Sequence, residues 1–327
     1  MGTNDDNKNK IDRRQQRNED DSICSEQTQT VPQQFMEHDC CRLLLHSLSF
    51  LDVVTLWRKQ IVSKQFKELC TQTITAKCGK DGPPPLTNET LRTAVREFCP
   101  IMYDPNRNKE DMETIACTYG YPIDSWNVSQ STDMTFLFCG PFGTDEAIQQ
   151  KSTGAWLPSD ISEMNWLPYF NEYIGSWDTS NVKYMVSMFD KAIHFNQDIG
   201  SWDVSNVKYM DSMFHGARQF NQDIGRWDVS NVKYMPYMFC GARQFNQDIG
   251  RWNVSNVEST NCMFMQARTF NQDIGRWNIS NLRDMTEMFG FAYAFNHSLR
   301  SWDVSHVLDK HGMLPEGFPE KFRPRNL

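Results

Sequence analysis

Four carboxylates recur at a fixed interval, Asp198, Asp223, Asp248 and Asp273, each two residues after an asparagine: Asn196, Asn221, Asn246 and Asn271. A ladder of this kind invites calcium, but that ion takes about 6–8 oxygen ligands and each repeat supplies one carboxylate. The glycine-rich calcium repeat is also missing. The expected role is therefore structural, with amides and carboxylates accepting backbone N–H groups where the chain bends. Two basic ladders run beside the acidic one, Arg226, Arg251 and Arg276, and Arg218, Arg243 and Arg268. Asp223, Asp248 and Asp273 lie three residues before the first and are expected to neutralise it. The sharper expectation is a ligand-binding strip for an acidic partner, because arginine and exposed aromatics such as Tyr209, Tyr234 and Tyr237 are favoured at binding hot spots.

Other reactive residue types form no catalytic pattern. The seven histidines share no phase, and no phosphate-binding glycine loop, Gly-x-Ser-x-Gly elbow or His-Glu-x-x-His helix is present. The 10 cysteines show no Cys-x-x-Cys spacing and lie mostly outside the repeats, which argues against a metal cage or a disulfide ladder. No enzymatic activity, cofactor or metal is expected. The net charge of −8 gives no general attraction to nucleic acid or to an anionic membrane. The opening residues lack the apolar run of a secretory signal, Asp6 stands where a myristoylation signal wants Ser or Thr, and no apolar stretch is long enough to span a membrane. An intracellular protein, cytoplasmic or nuclear, is expected. The glycosylation sequons at Asn253, Asn278 and Asn296 then carry no meaning beyond the repeat itself.

The elements that must position these ladders are written as one recurring sentence. Trp177, Trp202, Trp227, Trp252, Trp277 and Trp302 follow one another every 25 residues, and Phe170 to Phe295 and Met188 to Met313 keep the same interval. Fixed periods of this size imply a solenoid, in which each unit buries its apolar face by stacking on its neighbours. The six tryptophans are expected to form a structural spine. Ile224, Trp227 and Val229 suggest a short strand near "DIGRWDV", while Met235, Met238, Phe239 and Ala242 fall at helical spacing and suggest a short helix beginning at Pro236. A worn copy around Trp126 and Met134 precedes Trp177 by two periods plus one residue, and the copy between them, near "GAWLPSDISEMNWLPYF", reads as degenerate.

These residues resemble the BspA-like leucine-rich repeat superfamily, in its subtype built on W-D-V-S-x-V-x-x-M-x-x-M-F-x-x-A-x-x-F-N-x-D-I and first noted in mycoplasma surface lipoproteins. The match covers about 170–314 well and 86–170 loosely. The resemblance implies a binding solenoid without catalytic residues. Arg300, Lys310 and Leu314 depart from the motif, as a capping repeat does.

Ahead of the repeats, residues 1–34 carry no aromatic side chain and are expected to be disordered. Residues 35–78 are apolar and read as three short helices that cannot bury all their side chains among themselves. Here Leu44, Leu45, Leu48, Phe50, Leu51, Leu56, Val62, Phe66 and Leu69 resemble the F-box, the eukaryotic motif that docks on the Skp-type adaptor of cullin ubiquitin ligases. Ser63 and Phe66 stand where that motif has Cys and Trp, and its Leu-Pro opening is absent. A proline-rich linker spans 79–86. A helical cap is expected over 87–122, with Asn88 capping a helix that buries Leu91, Val95 and Phe98 and a second short helix around Glu110–Cys117. The solenoid runs over 123–314, regular from 171 and degenerate over 123–170, and 315–327 is a C-terminal tail.

The expected fold class is thus an α/β repeat solenoid, leucine-rich-repeat-like, with a short strand and a short helix per turn and an all-helical F-box-like segment in front. The resemblances imply a protein-interaction scaffold. In one form it is a substrate-recognition adaptor of a cullin ubiquitin ligase, binding a Skp-type adaptor through 35–78 and a protein substrate on the repeats. In the other it is a BspA-like surface or structural binding protein whose N-terminal helices only cap the solenoid.

Overall fold

The computed structural model describes residues 83–103, 114–115, 118–120, 122–139 and 169–327. The expected disordered tail 1–34, the F-box-like segment 35–78 and most of the linker 79–86 lie outside these residues.

Helix α1, Asn88–Tyr103, starts one residue earlier than an Asn88 cap requires. Thr87 is the cap: its Oγ1 accepts the Thr90 N–H at 3.4 Å while its own N–H donates to Thr90 Oγ1 at 2.8 Å. This reciprocal pair satisfies two donors that a bare helix end leaves orphaned. Asn88 is thereby released to reach across the chain, and its Oδ1 accepts the N–H groups of Thr132 and Asp133 at 2.7 and 3.1 Å. Leu91, Val95 and Phe98 are buried as their spacing predicts. Phe98 meets the Trp126 indole edge-on at 5.5 Å, and Arg92 pairs with Asp133 at 3.0 Å, so α1 packs on the first coil of the repeat region. Of the second expected helix, Thr114 and Ile115 are described and helical.

Successive 25-residue units lie one on the next. Single parallel bridges link Asp133, Tyr184, Tyr209, Tyr234, Ser259, Asp284 and Asp309 in order. Between coils, Met210, Ser212, Phe214 and Gly216 donate their N–H groups to the carbonyls of Tyr234, Pro236, Met238 and Cys240 at 2.9, 2.8, 2.9 and 2.7 Å. The alternate residues Met213, His215 and Ala217 donate back within their own coil, to Met210, Ser212 and Phe214 at 3.2, 3.1 and 3.1 Å. Every second N–H binds a neighbour and every other one closes a reverse turn.

That alternation replaces the expected strand and helix. Among the described residues of the repeats there is no α-helix and no strand beyond the single bridges. The segment "PYMFCGA" is a run of reverse turns: Phe239 and Ala242 are first and last residues of one, the Ala242 N–H reaching the Phe239 carbonyl at 3.0 Å. Consecutive turns with apolar ends place Met235, Met238, Phe239 and Ala242 at the spacing of a helical stripe, so the two backbones share one sequence signature. What separates them is the left-handed conformation at Ser187, Ser212, Tyr237, Cys262 and Glu287, with φ of 52, 53, 56, 52 and 48°. A right-handed helix cannot contain such residues. Pro236 occupies the second position of its turn, where a fixed φ near −65° is favoured. The expected strand at "DIGRWDV" is likewise a turn, with the Trp227 N–H on the Ile224 carbonyl at 3.1 Å.

The core is a set of ring columns. Within a coil, Phe214 and Phe220 stack at 3.9 Å between centroids, as do Phe239 and Phe245. From coil to coil, Phe189, Phe214, Phe239 and Phe264 follow at 5.6–5.8 Å, and Phe195, Phe220, Phe245 and Phe270 at 6.0–6.1 Å. The tryptophans form the flanking column. Trp252 stacks on Trp277 and Trp277 on Trp302, both at 6.5 Å, and the buried indole N–H groups of Trp202, Trp227, Trp252 and Trp277 donate to the carbonyls of Ile174, Ile199, Ile224 and Ile249 at 3.0–3.1 Å. At Gly200 a Cβ would lie 2.5 Å from the Asp223 carbonyl oxygen, so the bend admits only glycine while another coil follows. Arg300 holds this position in the last repeat, where no further coil follows.

The copies between Trp126 and Trp177 differ from the expectation. Trp126 stacks directly on Trp177 at 6.4 Å, Phe138 on Phe189 at 5.6 Å, and the Met134 N–H reaches the Tyr184 carbonyl at 2.9 Å. No coil fits between them. Residues 123–139 and Phe170 therefore belong to one coil, with Phe170 stacked on Phe138 at 3.8 Å. The C-terminal tail also has more structure than expected. Phe318 stacks on Phe295 at 5.8 Å, the Leu299 N–H donates to the Phe322 carbonyl at 2.8 Å, and the Arg325 N–H donates to Trp302 at 2.9 Å. Residues 315–327 thus cover the last coil.

Candidate binding surface

The polar ladders divide into those consumed by the backbone and those left outward. Asn196, Asn221 and Asn246 each accept, through Oδ1, the N–H of the asparagine one coil later, at 2.9, 2.9 and 2.8 Å. Asp198, Asp223, Asp248 and Asp273 accept the N–H of the glycine two residues on, at 2.9–3.0 Å. These oxygens satisfy bends. Asn206, Asn231 and Asn256 add a further ladder, donating to Ser180, Ser205 and Ser230 carbonyls at 2.7 Å. Among the described residues no three His, Cys, Asp or Glu side chains converge as metal ligands, and no helix is long and apolar enough to cross a membrane.

The arginines face outward. Arg226, Arg251, Arg276, Arg218 and Arg268 are exposed and Arg243 is half-exposed. None of the six forms an ion pair with a described carboxylate. The expected neutralisation of Arg226, Arg251 and Arg276 by Asp223, Asp248 and Asp273 does not form as contact pairs, since each of those carboxylates turns back on its own bend. Tyr184, Tyr209 and Tyr234 stack at 5.4 and 5.6 Å along the bridge column, and the Tyr234 hydroxyl donates to Glu258 at 2.8 Å. Tyr237, Phe291 and Tyr293 are exposed. The Trp177–Trp302 column lies inside and takes no part in a surface. The F-box-like residues Leu44, Leu45, Leu48, Phe50, Leu51, Leu56, Val62, Phe66 and Leu69 lie outside the described residues.

One cluster escapes a reading by residue type. Asp190, His215 and Cys240 occupy the same position in three successive coils, and His215 Nδ1 lies 2.8 Å from Asp190 Oδ1. Burial opposes the charged imidazole, but the hydrogen bonds to Asp190 and Cys240 and the Asp190 charge outweigh it and push His215 up to about 10. Read by column, the 25-residue spacing of these three residues is visible in the sequence. The Cys240 thiol is buried, so the cluster ties coils together and exposes no nucleophile. Asp211, nearby in the chain, has a buried Oδ2 without a partner, and burial raises it to about 6.

No curated protein and no solved structure matches the chain. A family model described as "Mycoplasma protein of unknown function, DUF285" matches three overlapping stretches, residues 107–167, 141–243 and 222–321. These take in well over half of the sequence and follow the stacked coils from the first to the C-terminal cover. The chain belongs to this DUF285 repeat family, which is related to the BspA-like surface repeat proteins.

Proposed function

We propose that the chain is a non-enzymatic protein-binding scaffold of the solenoid type, working through side chains that project from stacked coils. The observation that carries this reading is the contrast between inward and outward columns. The inward positions repeat the same Phe, Met and Trp from coil to coil, whereas one outward column, Ile193, Arg218, Arg243, Arg268 and Tyr293, changes residue type at its two ends. Uniform interiors fix the platform, and the outward side chains, repeated or changed from coil to coil, give it identity.

Two finer readings follow from different observations. The F-box-like pattern of residues 35–78 favours a substrate-recognition adaptor of a cullin ubiquitin ligase, with a Skp-type partner on that segment. Membership of a mycoplasma-type repeat family favours a surface-binding protein. Co-expression of the full chain with a Skp-type adaptor separates them. The adaptor reading expects co-purification that Leu51→Asp abolishes, and it falls if wild type recovers no adaptor. The surface reading expects protease added to intact cells to shave the repeats, and it falls if they stay protected until lysis.

A further inference from the structure

The two arginine ladders are not equivalent. Arg226, Arg251 and Arg276 share their bends with the carboxylates three residues earlier. Arg218, Arg243 and Arg268 have none: residues 212–222, 237–247 and 262–272 contain no Asp or Glu. Each of these arginines sits second in a reverse turn closed by an N–H to carbonyl bond, Phe220 to Ala217, Phe245 to Ala242 and Phe270 to Ala267, at 3.1, 3.2 and 3.2 Å. The same position one coil further on is Tyr293, in the turn from Ala292 to Phe295. Tyr293 is 64% exposed, and Phe291, 55% exposed, meets it edge-on at 6.2 Å. Three like charges held in register, without acids between them, repel one another and attract an anion. Two exposed aromatic rings at one end add an apolar anchor of the kind enriched at binding hot spots.

The geometry points to a docking strip for an acidic extended peptide, with its carboxylates on Arg218, Arg243 and Arg268 and an apolar side chain on Phe291 and Tyr293. The spacing supports this occupant. Stacked rings in neighbouring coils are 5.6–6.1 Å apart. Alternate residues of an extended strand project to one side every 6.6–6.8 Å or about that, a mismatch that the long, flexible arginine stems absorb. A peptide running along the stack would therefore present acids at every second residue and a large apolar residue two positions beyond the last acid. This inference rests on the scaffold reading and names its partner class.

The test uses the full chain and fluorescence anisotropy with the labelled peptide Glu-Ser-Glu-Ser-Glu-Ser-Phe, its reversed order, and a scramble that clusters the acids. One of the two alternating orders should bind more tightly than the scramble, and the affinity should fall as salt rises. Replacing Arg218, Arg243 and Arg268 together by Gln should weaken binding by about tenfold or more, whereas Arg226, Arg251 and Arg276 replaced together should change it by less than about twofold. Phe291→Ala with Tyr293→Ala should erase the preference for the apolar end. All replaced side chains are outward, so an unchanged urea midpoint certifies the fold. Equal losses from both arginine triples, tighter binding of a single-stranded oligonucleotide of equal charge, or no binding by wild type each overturns the strip. Such failures leave the scaffold reading standing, since the adaptor and shaving experiments address it separately.

Discussion

Phe239→Ala is the substitution that most sharply probes how the coils hold one another. The Phe239 ring is fully buried and contacts rings on several sides: Phe245 at 3.9 Å within its coil, Phe214 at 5.7 Å and Phe264 at 5.8 Å in the neighbouring coils, and Trp252 at 6.2 Å. Truncation removes apolar transfer energy and leaves a cavity that columns fixed by inter-coil hydrogen bonds cannot close. Buried Phe→Ala changes cost about 3–5 kcal/mol, and this site belongs in the upper half of that range. The comparison is Phe318→Ala in the C-terminal cover, where the ring stacks on Phe295 at 5.8 Å and has no coil beyond it. There the ring is also buried but stacks on a single ring, so the cost should be smaller, about 2–3 kcal/mol. Urea unfolding followed by tryptophan fluorescence measures both. A cost at Phe239 no greater than that at Phe318, or below about 1 kcal/mol, would refute ring-column packing as the source of stability.

Two electrostatic predictions follow from the buried carboxylates. Asp211 is raised from 3.8 to about 6 by burial, so its folded state favours the protonated form. The stability of wild type should be greatest below pH 4 at this site and fall as pH rises towards 6. Asp211→Asn should remove that fall and gain about 1–2 kcal/mol at pH 7, discounted because the residue is only half-buried by area; a loss of stability would contradict the reading. For His215, pushed up to about 10, the contribution of the Asp190 pair is fully present below about pH 6.5 and is lost as pH rises through 10. Asp190→Asn should cost about 1–3 kcal/mol at pH 6 and flatten the decline of stability between pH 7 and 10, measured by chemical denaturation at each pH.

The sequence carries the interior of this protein more openly than its backbone. The 25-residue return of Trp, Phe and Met predicts which side chains are buried, because each repeat must offer the same face to the next. The backbone between them is ambiguous for a stated reason. Met235, Met238, Phe239 and Ala242 have one spacing whether the chain winds as a helix or as consecutive reverse turns, and only the left-handed residues, unmarked by glycine at Ser212 or Tyr237, decide it. Trp126 and Trp177, 51 residues apart, fit two periods nearly as well as one coil plus an insertion, and stacking distance alone separates the cases. The Thr87 cap is hidden because Asn88 is an equally good capping residue by type. The Asp190–His215–Cys240 column is legible only when residues are aligned by position in the repeat.

The central claim is that coils are interchangeable units locked at one period, and it can be tested by removing one. Deletion of residues 221–245 joins Phe220 to Asn246 in unchanged phase, so every column remains continuous with one coil fewer. That protein should unfold cooperatively with buried tryptophan emission and a modest loss of stability, while a deletion ending one residue later, 221–246, should lose cooperative unfolding by throwing every later column out of register. Equal behaviour of the two deletions, whether both fold or both fail, would contradict the account.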